Sequence, residues 1–165
     1  ALNDERLEVL VIPPDLMDRL KKKGSLDKLK DKIRFASLQY LTAKPMQRKI
    51  HGNHETLTIQ LANYVLLSPD AINLDDVNRQ KLLKISKADP LALFEYGAVD
   101  PDYDGQVFRS VWQDYRGNTA NDSDNLHVIT HAKLELPAKQ GQRKVCVRAV
   151  DVFGFEAEVI QELAP

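Results

Sequence analysis

Apolar and polar positions alternate along most of the chain, which predicts a protein built mainly of β-strands. The longest alternation covers 56–67, where one side carries the apolar residues Leu57, Ile59, Leu61, Val65 and Leu67. A period of two places such residues on the same face of a strand. Further strands are predicted over 107–114 and 126–136, and a turn and short helix over 70–87. Residues 91–99 form a short apolar run that ends at a turn.

The last two strands form a predicted hairpin over 143–163, whose register follows from its turn. Asp151 and Gly154 stand at the first and fourth turn positions, as in a three-residue loop with a left-handed glycine. This loop sets Arg148 directly opposite Glu158, whereas a two-residue loop would mix charged and apolar groups on both faces. The predicted apolar face carries Val145, Val147, Ala149, Phe155, Ala157 and Val159.

The first part of the chain follows a different pattern. Residues 1–50 combine β-rich stretches with short helical ones, which predicts an α+β portion. From Lys44 to His54 the chain is polar and contains Pro45 and Gly52, which predicts a loop or linker. The sequence therefore predicts a mainly β fold, with an α+β portion over 1–50 followed by a β-sandwich-like antiparallel domain over 55–165.

Composition and charge exclude some functional classes. The chain has 165 residues and a net charge of −1, so it is no histone-like basic protein. The charge is uneven, because residues 1–50 carry +5 and residues 51–165 carry −6. The basic cluster is typical of a solvated helix face but can also contact phosphates. It comprises Arg19, Lys21, Lys22, Lys23, Lys28, Lys30, Lys32 and Arg34.

The cysteine count and the lack of long apolar runs bear on the cellular compartment and on membrane contact. A single cysteine, Cys146, excludes an internal disulfide and fits a reducing compartment, so we expect a cytoplasmic protein. No signal-peptide pattern and no apolar run of the ~18 residues that a membrane helix needs are present, so no membrane partner is expected. Because the sequence begins Ala1-Leu2 rather than with methionine, we expect a segment of a longer protein.

The segment Asp100-Pro101-Asp102-Tyr103 follows an apolar stretch and is the sharpest catalytic candidate. Amino-methyltransferases place an Asp-Pro-Pro-Tyr-like tetrad after a strand, where the polar group accepts from the target amine and the ring stacks on the extruded base. Here an aspartate replaces the second proline, and the chain contains no Phe-x-Gly-x-Gly cofactor loop. A surface turn is the favoured interpretation, and no catalytic residue is assigned.

Histidines and the cysteine supply weaker candidates. His51 and His54 lie in the predicted loop without further ligands, so no metal site is expected. His127 and His131 lie on a predicted strand ~13 Å apart, too far for one ion, although with Lys133 they offer a weak anion-binding face. Cys146 is predicted to share the strand face of Arg148 and Glu158 as a structural thiol.

Two blocks carry a family resemblance. Residues 145–159 read Val-Cys-Val-Arg-Ala-Val-Asp-Val-Phe-Gly-Phe-Glu-Ala-Glu-Val, a strand, a Val-Asp-Val-Phe-Gly turn and a second strand. Residues 99–108 and 112–116 form the second block. Together they resemble the C-terminal region of bacterial adenine-specific DNA methyltransferases of the type III modification-subunit-like group. Phe155 departs from the asparagine expected in many of those relatives.

The resemblance implies a non-catalytic C-terminal accessory domain of a restriction-modification enzyme. It would contribute to DNA contact, target recognition or subunit assembly, with DNA and the remainder of the parent methyltransferase or a partner subunit as partners. No cofactor is expected in these residues, because the S-adenosylmethionine loop would lie upstream in the parent. We expect DNA backbone contacts first from Arg19, Lys21, Lys22 and Lys23, and second from Arg109 and Arg116.

Two alternatives stay open at this point. One is an immunoglobulin-like protein–protein interaction module with no nucleic-acid role, which would bind through a sheet edge or an exposed apolar patch. The other is an enzyme built on Asp100 and Tyr103. The aromatic residues near them are candidates for base stacking, although core packing accounts for Phe108 and Trp112. That aromatic group is Tyr103, Phe108, Trp112 and Tyr115.

Overall fold

The first sheet is organised around one long strand. The computed structural model describes residues 39–66, 69, 72 and 74–165. Strands β1 (Gln39–Ala43) and β2 (Gln47–His51) both pair antiparallel with β3 (His54–Leu66). Strand β6 (His131–Pro137) pairs antiparallel with the other edge of β3. The strands over 39–51 thus belong to this sheet, while the rest of the predicted N-terminal portion, 1–38, lies outside the described residues.

The second sheet has the strand order β5-β4-β7-β8, and all neighbours are antiparallel. Its strands are β4 (Phe94–Asp100), β5 (Trp112–Tyr115), β7 (Arg143–Asp151) and β8 (Glu156–Leu163). Two antiparallel sheets confirm the predicted mainly β fold.

A helix precedes the second sheet in the chain. Helix α1 (Asp76–Ala88) is preceded by the N-cap residue Asp75, whose carboxylate accepts from the backbone N–H of Asn78 at 2.8 Å. It buries Leu82, and a short 3₁₀ helix (Pro90–Leu93) leads from it into β4. Neither helix in this part of the chain has the length and apolar composition of a membrane span.

The core lies between the two sheets and is filled by apolar side chains of both. Leu57 and Ile59 of β3 and Val99 and Val145 of the second sheet are at most 2% exposed. An apolar gap of about 10 Å³ remains between the sheets, roughly the space that one water molecule occupies. It is lined by Ile59, Leu61, Gly97, Val99, Trp112 and Val128, among others. This gap is therefore a packing defect and too small for a substrate.

Strand β3 changes its buried face halfway along its length. The register passes from Thr42 opposite Asn63 to Ala43 opposite Leu61, so Ala62 is an extra residue without a partner. Such a β-bulge shifts the alternation by one position. Beyond it Tyr64 and Leu66 are buried, whereas the sequence pattern predicted Val65 and Leu67 on the core face. The predicted strand is confirmed, but the core face predicted for its second half is wrong by one residue.

The predicted loop or linker from Lys44 to His54 is wrong for its central part. β2 occupies residues 47–51 and joins β3 through a two-residue turn at Gly52 and Asn53. Gly52 has a φ of 64° while no residue other than glycine has a positive φ among those described, a combination typical of a type II′ hairpin turn. The prediction failed because β2 is a strand of mostly polar residues. One of its faces is in solvent, and the other carries the buried side chain of Arg48.

Strand β5 begins at Trp112, five residues later than the predicted strand over 107–114. The preceding backbone is held by aspartate side chains instead of a neighbouring strand. Asp104 accepts from the N–H groups of Gln106 and Val107 at 2.8 Å, and Asp100 accepts from that of Arg109 at 2.7 Å. Aspartate oxygens compete with a β-ladder for N–H groups in this way.

The strand predicted over 126–136 likewise begins late, at His131, because β6 covers only residues 131–137. Asp124 accepts from the backbone N–H of Leu126 at 2.8 Å, and Asp114 accepts from that of Ile129 at 2.8 Å. These two carboxylates hold the start of the predicted strand as a loop.

The C-terminal hairpin has the predicted register. Arg148 pairs with Glu158, and Ala149 pairs with Ala157. The Asp151 N–H donates to the carbonyl of Phe155 at 3.0 Å, and the Gly154 N–H donates to the carbonyl of Asp151 at 2.9 Å. Gly154 has a φ of 83°, as the three-residue loop requires.

Replacing Gly154 by alanine should lower the free energy of unfolding by about 1 kcal/mol, because alanine pays for a left-handed backbone conformation that glycine adopts freely. A Cβ at this position would meet no atom within 4 Å, so a steric clash adds nothing. Urea unfolding followed by circular dichroism measures the difference. Gly154→Asn should be less destabilising than Gly154→Ala, and equal stability of all three proteins would contradict the assigned turn.

Candidate binding surface

One face of the first sheet points away from the core and is mostly polar along β2, β3 and β6, with Pro137 beside His54 as the exception. It is formed by alternate residues of β2, β3 and β6, which the register places in rows across the sheet. We call this surface the outer face of the first sheet. It consists of Gln47, Lys49, His51, His54, Thr56, Thr58, Gln60, His131, Lys133 and Glu135.

The rows of this face bring basic and hydrogen-bonding groups side by side. His51 lies directly opposite His54 on the neighbouring strand. Thr58 lies between Gln47 on one side and Lys133 on the other. Neighbouring strands are ~4.8 Å apart, so the side chains of one row can contact a common ligand.

The carboxylate of Glu135 is the acidic group on the outer face of the first sheet. It accepts a hydrogen bond from the hydroxyl of Thr56 at 3.0 Å and pairs with Lys133 at 3.2 Å. The hydrogen bonds from Thr56 and Lys133 hold its pKa below the usual value. With neutral histidines, two lysines and one glutamate give the face a charge of +1.

The outward side of the second sheet has the opposite character. Its edge strand β8 presents Glu156, Glu158 and Glu162, all exposed. The guanidinium of Arg148 pairs with Glu158 at 3.2 Å and with Glu156 at 3.4 Å. Its cation is therefore balanced by local carboxylates, and this side does not attract an anion.

The loop over 101–111 covers part of that outward side. The Arg148 guanidinium lies 4.7 Å from the centre of the Phe108 ring. Cys146 shares this face, as predicted, and is fully buried. Burial, together with the nearby carboxylate of Glu158, raises the pKa of the Cys146 thiol to about 12. A thiol that is protonated at neutral pH and closed to solvent is structural.

A buried ionic cluster joins the two sheets near the turn of the β2–β3 hairpin. Glu55, which is 0% exposed, accepts from Arg48 at 2.8 Å and from Arg143 of β7. It also accepts from the backbone N–H of Lys139 at 3.1 Å. Burial opposes ionisation, but the hydrogen bonds from Arg48, Lys139 and Arg143 outweigh it and lower the pKa of Glu55 to about 2.

The Asp-Pro-Asp-Tyr segment is a structural turn in the described residues. Asp100 is 2% exposed and accepts from the backbone N–H groups of Asp102 at 3.0 Å and Arg109 at 2.7 Å. Asp102 pairs with Lys139 at 2.6 Å and also with Arg143 of the buried cluster. Tyr103 is buried beside β7. These carboxylates hold the loop and the cluster together.

Two further buried carboxylates were not found from the sequence. Asp151 accepts from the Tyr64 hydroxyl at 2.7 Å and from the N–H groups of Phe153 and Phe155 at 2.9 and 3.0 Å. Burial and this carboxylate raise the pKa of Tyr64. The position of Asp151 in the predicted turn was the available signal for its capping role.

Asp114 is the other carboxylate, 1% exposed, and it accepts from three groups of the following loop. They are the side-chain amides of Asn118 at 2.8 Å and Asn121 at 3.0 Å, and the N–H of Ile129 at 2.8 Å. The asparagine-rich composition of the loop was the available signal.

The two arginines predicted as second-rank DNA contacts have different surroundings. Arg116 donates to Glu95 at 2.9 Å and to the carbonyls of Phe94 at 2.6 Å, Ala92 at 3.0 Å and Leu126. It therefore fastens loops around β4. Arg109 is exposed and pairs with Asp104 at 2.6 Å, which compensates its charge. The first-rank residues lie outside the described residues, namely Arg19, Lys21, Lys22 and Lys23.

The predicted histidine groups are rearranged by the fold. His51 and His54 lie opposite each other at one end of the outer face of the first sheet, and His131 lies at the other end, in the row of Gln60. His127 lies in the preceding loop, where it bonds Asp124 at 2.9 Å. In the part of the chain that the structure describes, no three His, Cys, Asp or Glu residues form a group that could hold a metal ion. The sequence pattern had identified each pair but could not show that three of the four histidines share one sheet face.

The predicted aromatic group does not form one stacking surface. Trp112 is half-buried against the core. Tyr103 and Phe108 both belong to the 101–111 loop, with 6.5 Å between their ring centres. Tyr115 is exposed, opposite Tyr96.

Comparison of the chain with protein-family models, curated proteins and solved structures finds no match.

Proposed function

We propose that this chain is a non-catalytic accessory domain of a site-specific DNA methyltransferase and contributes to DNA contact, target recognition or subunit assembly. The proposal rests on the resemblance of its two sequence blocks and on the use that the fold makes of its buried ionisable groups. S-adenosylmethionine would bind elsewhere in the parent enzyme.

The use of the buried carboxylates supports the non-catalytic part of this proposal. A catalytic acid or base needs an oxygen that can reach a substrate proton. The oxygens of the buried carboxylates instead accept hydrogen bonds from arginines, backbone N–H groups, amides and a tyrosine hydroxyl. These carboxylates are Glu55, Asp100, Asp114 and Asp151. They hold loops and join sheets, which is the work of a binding scaffold.

A protein–protein interaction module is the second candidate, favoured by the edge of β6. In the described residues this seven-residue strand pairs with β3 alone, so one edge is open. An open edge can accept an added strand. Lys133 and Glu135 on β6 work against indiscriminate pairing, since charges on an edge strand discourage aggregation.

The proposed function is tested by titrating the 165-residue chain into a fluorescein-labelled 30-base-pair duplex at 50–200 mM NaCl. Fluorescence anisotropy should report binding, and log K should fall linearly with log salt concentration because counterions are released. Isothermal calorimetry with S-adenosylmethionine should show no binding heat.

A fourfold variant, with Arg19, Lys21, Lys22 and Lys23 changed to alanine, measures how much of the affinity comes from the predicted N-terminal contacts. Absence of DNA binding by the unchanged chain at 50 mM NaCl would overturn the DNA role. Methyl transfer to DNA by this chain alone would overturn the non-catalytic role.

A further inference from the structure

We infer that the open edge of β6 pairs antiparallel with the same edge of a second copy of this chain, which gives a two-fold dimer with one continuous sheet. In this dimer Lys133 of each copy lies opposite Glu135 of the other. Such a dimer goes beyond the proposed function, since it forms whether or not the chain binds DNA.

Backbone groups of β6 point away from β3 along its open edge. The N–H of Leu61 donates to the carbonyl of Thr130 at 2.8 Å at one end of the pairing. The N–H of Ala138 donates to the carbonyl of Asn53 at 3.0 Å at the other end. Both bonds follow the β3–β6 register, in which hydrogen-bonded pairs alternate with pairs that are not bonded. Even-numbered residues of β6 therefore bond β3. Among the described residues, the backbone groups that face the open edge are the N–H and carbonyl groups of His131, Lys133 and Glu135 and the carbonyl of Pro137.

The two faces of β6 limit how a second copy can pair with it. Ala132, Leu134 and Leu136 are buried on the core side, whereas the odd-numbered residues of the strand are exposed. A shift of one residue would turn the apolar side chains of the second copy into solvent. Odd-numbered residues must therefore lie opposite odd-numbered ones, which are also those that direct backbone groups to this edge.

Charge then selects one register of the second copy. When Leu134 lies opposite Leu134 of the second copy, Lys133 lies opposite Glu135 on both sides of the two-fold axis. A shift of two residues in one direction brings two Lys133 side chains together, and the opposite shift brings two Glu135 side chains together. Opposite charges across a strand pair stabilise it, and like charges destabilise it. The edge of β6 is therefore complementary to itself, as a two-fold interface requires.

The ion pair within each copy remains in the dimer. Lys133 Nζ lies 3.2 Å from Glu135 Oε1, and these side chains are 67% and 61% exposed. Glu135 also accepts from the Thr56 hydroxyl at 3.0 Å. In the dimer each carboxylate lies between the lysine of its own copy and that of the other. Four charges of alternating sign form a network, which contributes more than an isolated surface pair.

Backbone hydrogen bonds supply most of the affinity of this dimer. The register gives about six of them, two at each Lys133–Glu135 pair and one from each His131 N–H to the carbonyl of Pro137. The apolar side chains of β6 are already buried within one copy, so the dimer adds little apolar burial. We expect a dissociation constant on the order of 100 µM, as for a small transient interface.

The two edges of the second sheet are less suited to such pairing, because side chains already engage them. At β5 the side-chain amide of Asn121 donates to the carbonyl of Gln113 at 3.0 Å. At β8 the Gln161 side chain donates to the carbonyl of Lys44 at 3.2 Å and accepts from the N–H of Met46 at 2.9 Å. These contacts leave β6 as the edge with the better match to a second copy.

Sedimentation equilibrium of the full chain without DNA, from about 10 to 500 µM at low salt, measures the dimer. The charge-changed forms are Lys133→Glu, Glu135→Lys and the double swap Lys133→Glu/Glu135→Lys. Lys84→Glu is the matched control, because it makes the same charge change on the exposed side of α1. Circular dichroism establishes that each form is folded.

Each single variant should dimerise at least about tenfold more weakly than the unchanged chain, because like charges meet across the two-fold axis. The double swap restores opposite charges in the same register, so its dissociation constant should lie within about threefold of that of the unchanged chain. Lys84→Glu should not alter dimerisation.

An equimolar mixture of the two single variants tests the contact itself. One variant carries two carboxylates on this edge and the other carries two ammonium groups, so each repels itself and attracts the other. The mixture should form a heterodimer about as stable as the dimer of the unchanged chain, although neither variant dimerises well alone.

An unchanged chain that stays monomeric at about 500 µM overturns the inference and leaves the open edge to a strand of another protein. A dimer that survives in both single variants forms through another surface and overturns it as well. Failure of the double swap or of the mixture to dimerise has the same meaning. None of these outcomes alters the DNA titration, so the dimer and the proposed function fail separately.

Discussion

Replacing Glu55 by glutamine should lower the free energy of unfolding by about 3 kcal/mol, one of the two largest effects that we expect. The change removes the carboxylate that Arg48 and Arg143 share, and these side chains are 2% and 4% exposed. Arg143 keeps its pair with Asp102, whereas Arg48 is left with backbone carbonyls as acceptors. Removing one partner of a buried ion pair costs about 3–5 kcal/mol because the other charge stays buried. Urea unfolding at pH 7 measures the loss.

A triple variant separates the cost of an uncompensated charge from the value of the cluster itself. In Arg48→Met/Glu55→Leu/Arg143→Met no buried charge is left at these three positions, so it should be less destabilised than Glu55→Gln. A Glu55→Gln protein as stable as the unchanged chain would show that the two arginines reach solvent and that the cluster is not buried.

The same pair of proteins should also differ in acid. The pKa of Glu55 is about 2 in the folded chain and 4.5 in an ordinary environment. A carboxyl with a lowered pKa stabilises the fold fully above its unfolded pKa, and that contribution disappears as the pH falls through the folded value. The stability difference between the unchanged chain and Glu55→Gln should therefore be constant above pH 5 and shrink between pH 4.5 and 2.

Replacing Asp151 by alanine should lower the free energy of unfolding by about 3 kcal/mol as well. Asp151 is 2% exposed and accepts from the Tyr64 hydroxyl and from the N–H groups of Phe153 and Phe155. Its removal leaves three donors without their acceptor, two of which hold the C-terminal turn. Each unsatisfied buried donor costs about 1–3 kcal/mol, although water can reach the turn and reduce the sum.

Tyr64→Phe is the matched control for Asp151→Ala. It removes the hydroxyl but keeps the ring, which packs edge-on against Phe94 with 5.0 Å between ring centres. The carboxylate keeps its two backbone donors, so the loss should be about 1 kcal/mol. A larger loss from Tyr64→Phe than from Asp151→Ala would contradict the assignment of Asp151 as the centre of this network.

The C-terminal hairpin was predictable because its two strands are adjacent in the chain. The turn residues Asp151 and Gly154 fix the loop, and the loop fixes every pair that follows. The observed pair of Arg148 and Glu158 follows from this local geometry alone. The mainly β fold follows in the same way from alternation within single strands.

The candidate surface was not predictable, because it depends on pairings between distant parts of the chain. Lys133 comes beside Thr58 only when β6 joins β3, and alternation within one strand does not name that partner. The buried cluster poses the same difficulty, since Glu55 and Arg143 are 88 positions apart. The polar pattern of β2 gave no sign that one of its charged residues, Arg48, lies inside.

The burial of Cys146 allows thiol labelling to report how often the fold around β7 opens. Cys146 is the one sulfhydryl in 165 residues, and its side chain is fully buried. An alkylating reagent can therefore label a molecule once, and only during an excursion that exposes β7. The labelling rate would count those excursions directly, without any introduced dye or engineered probe.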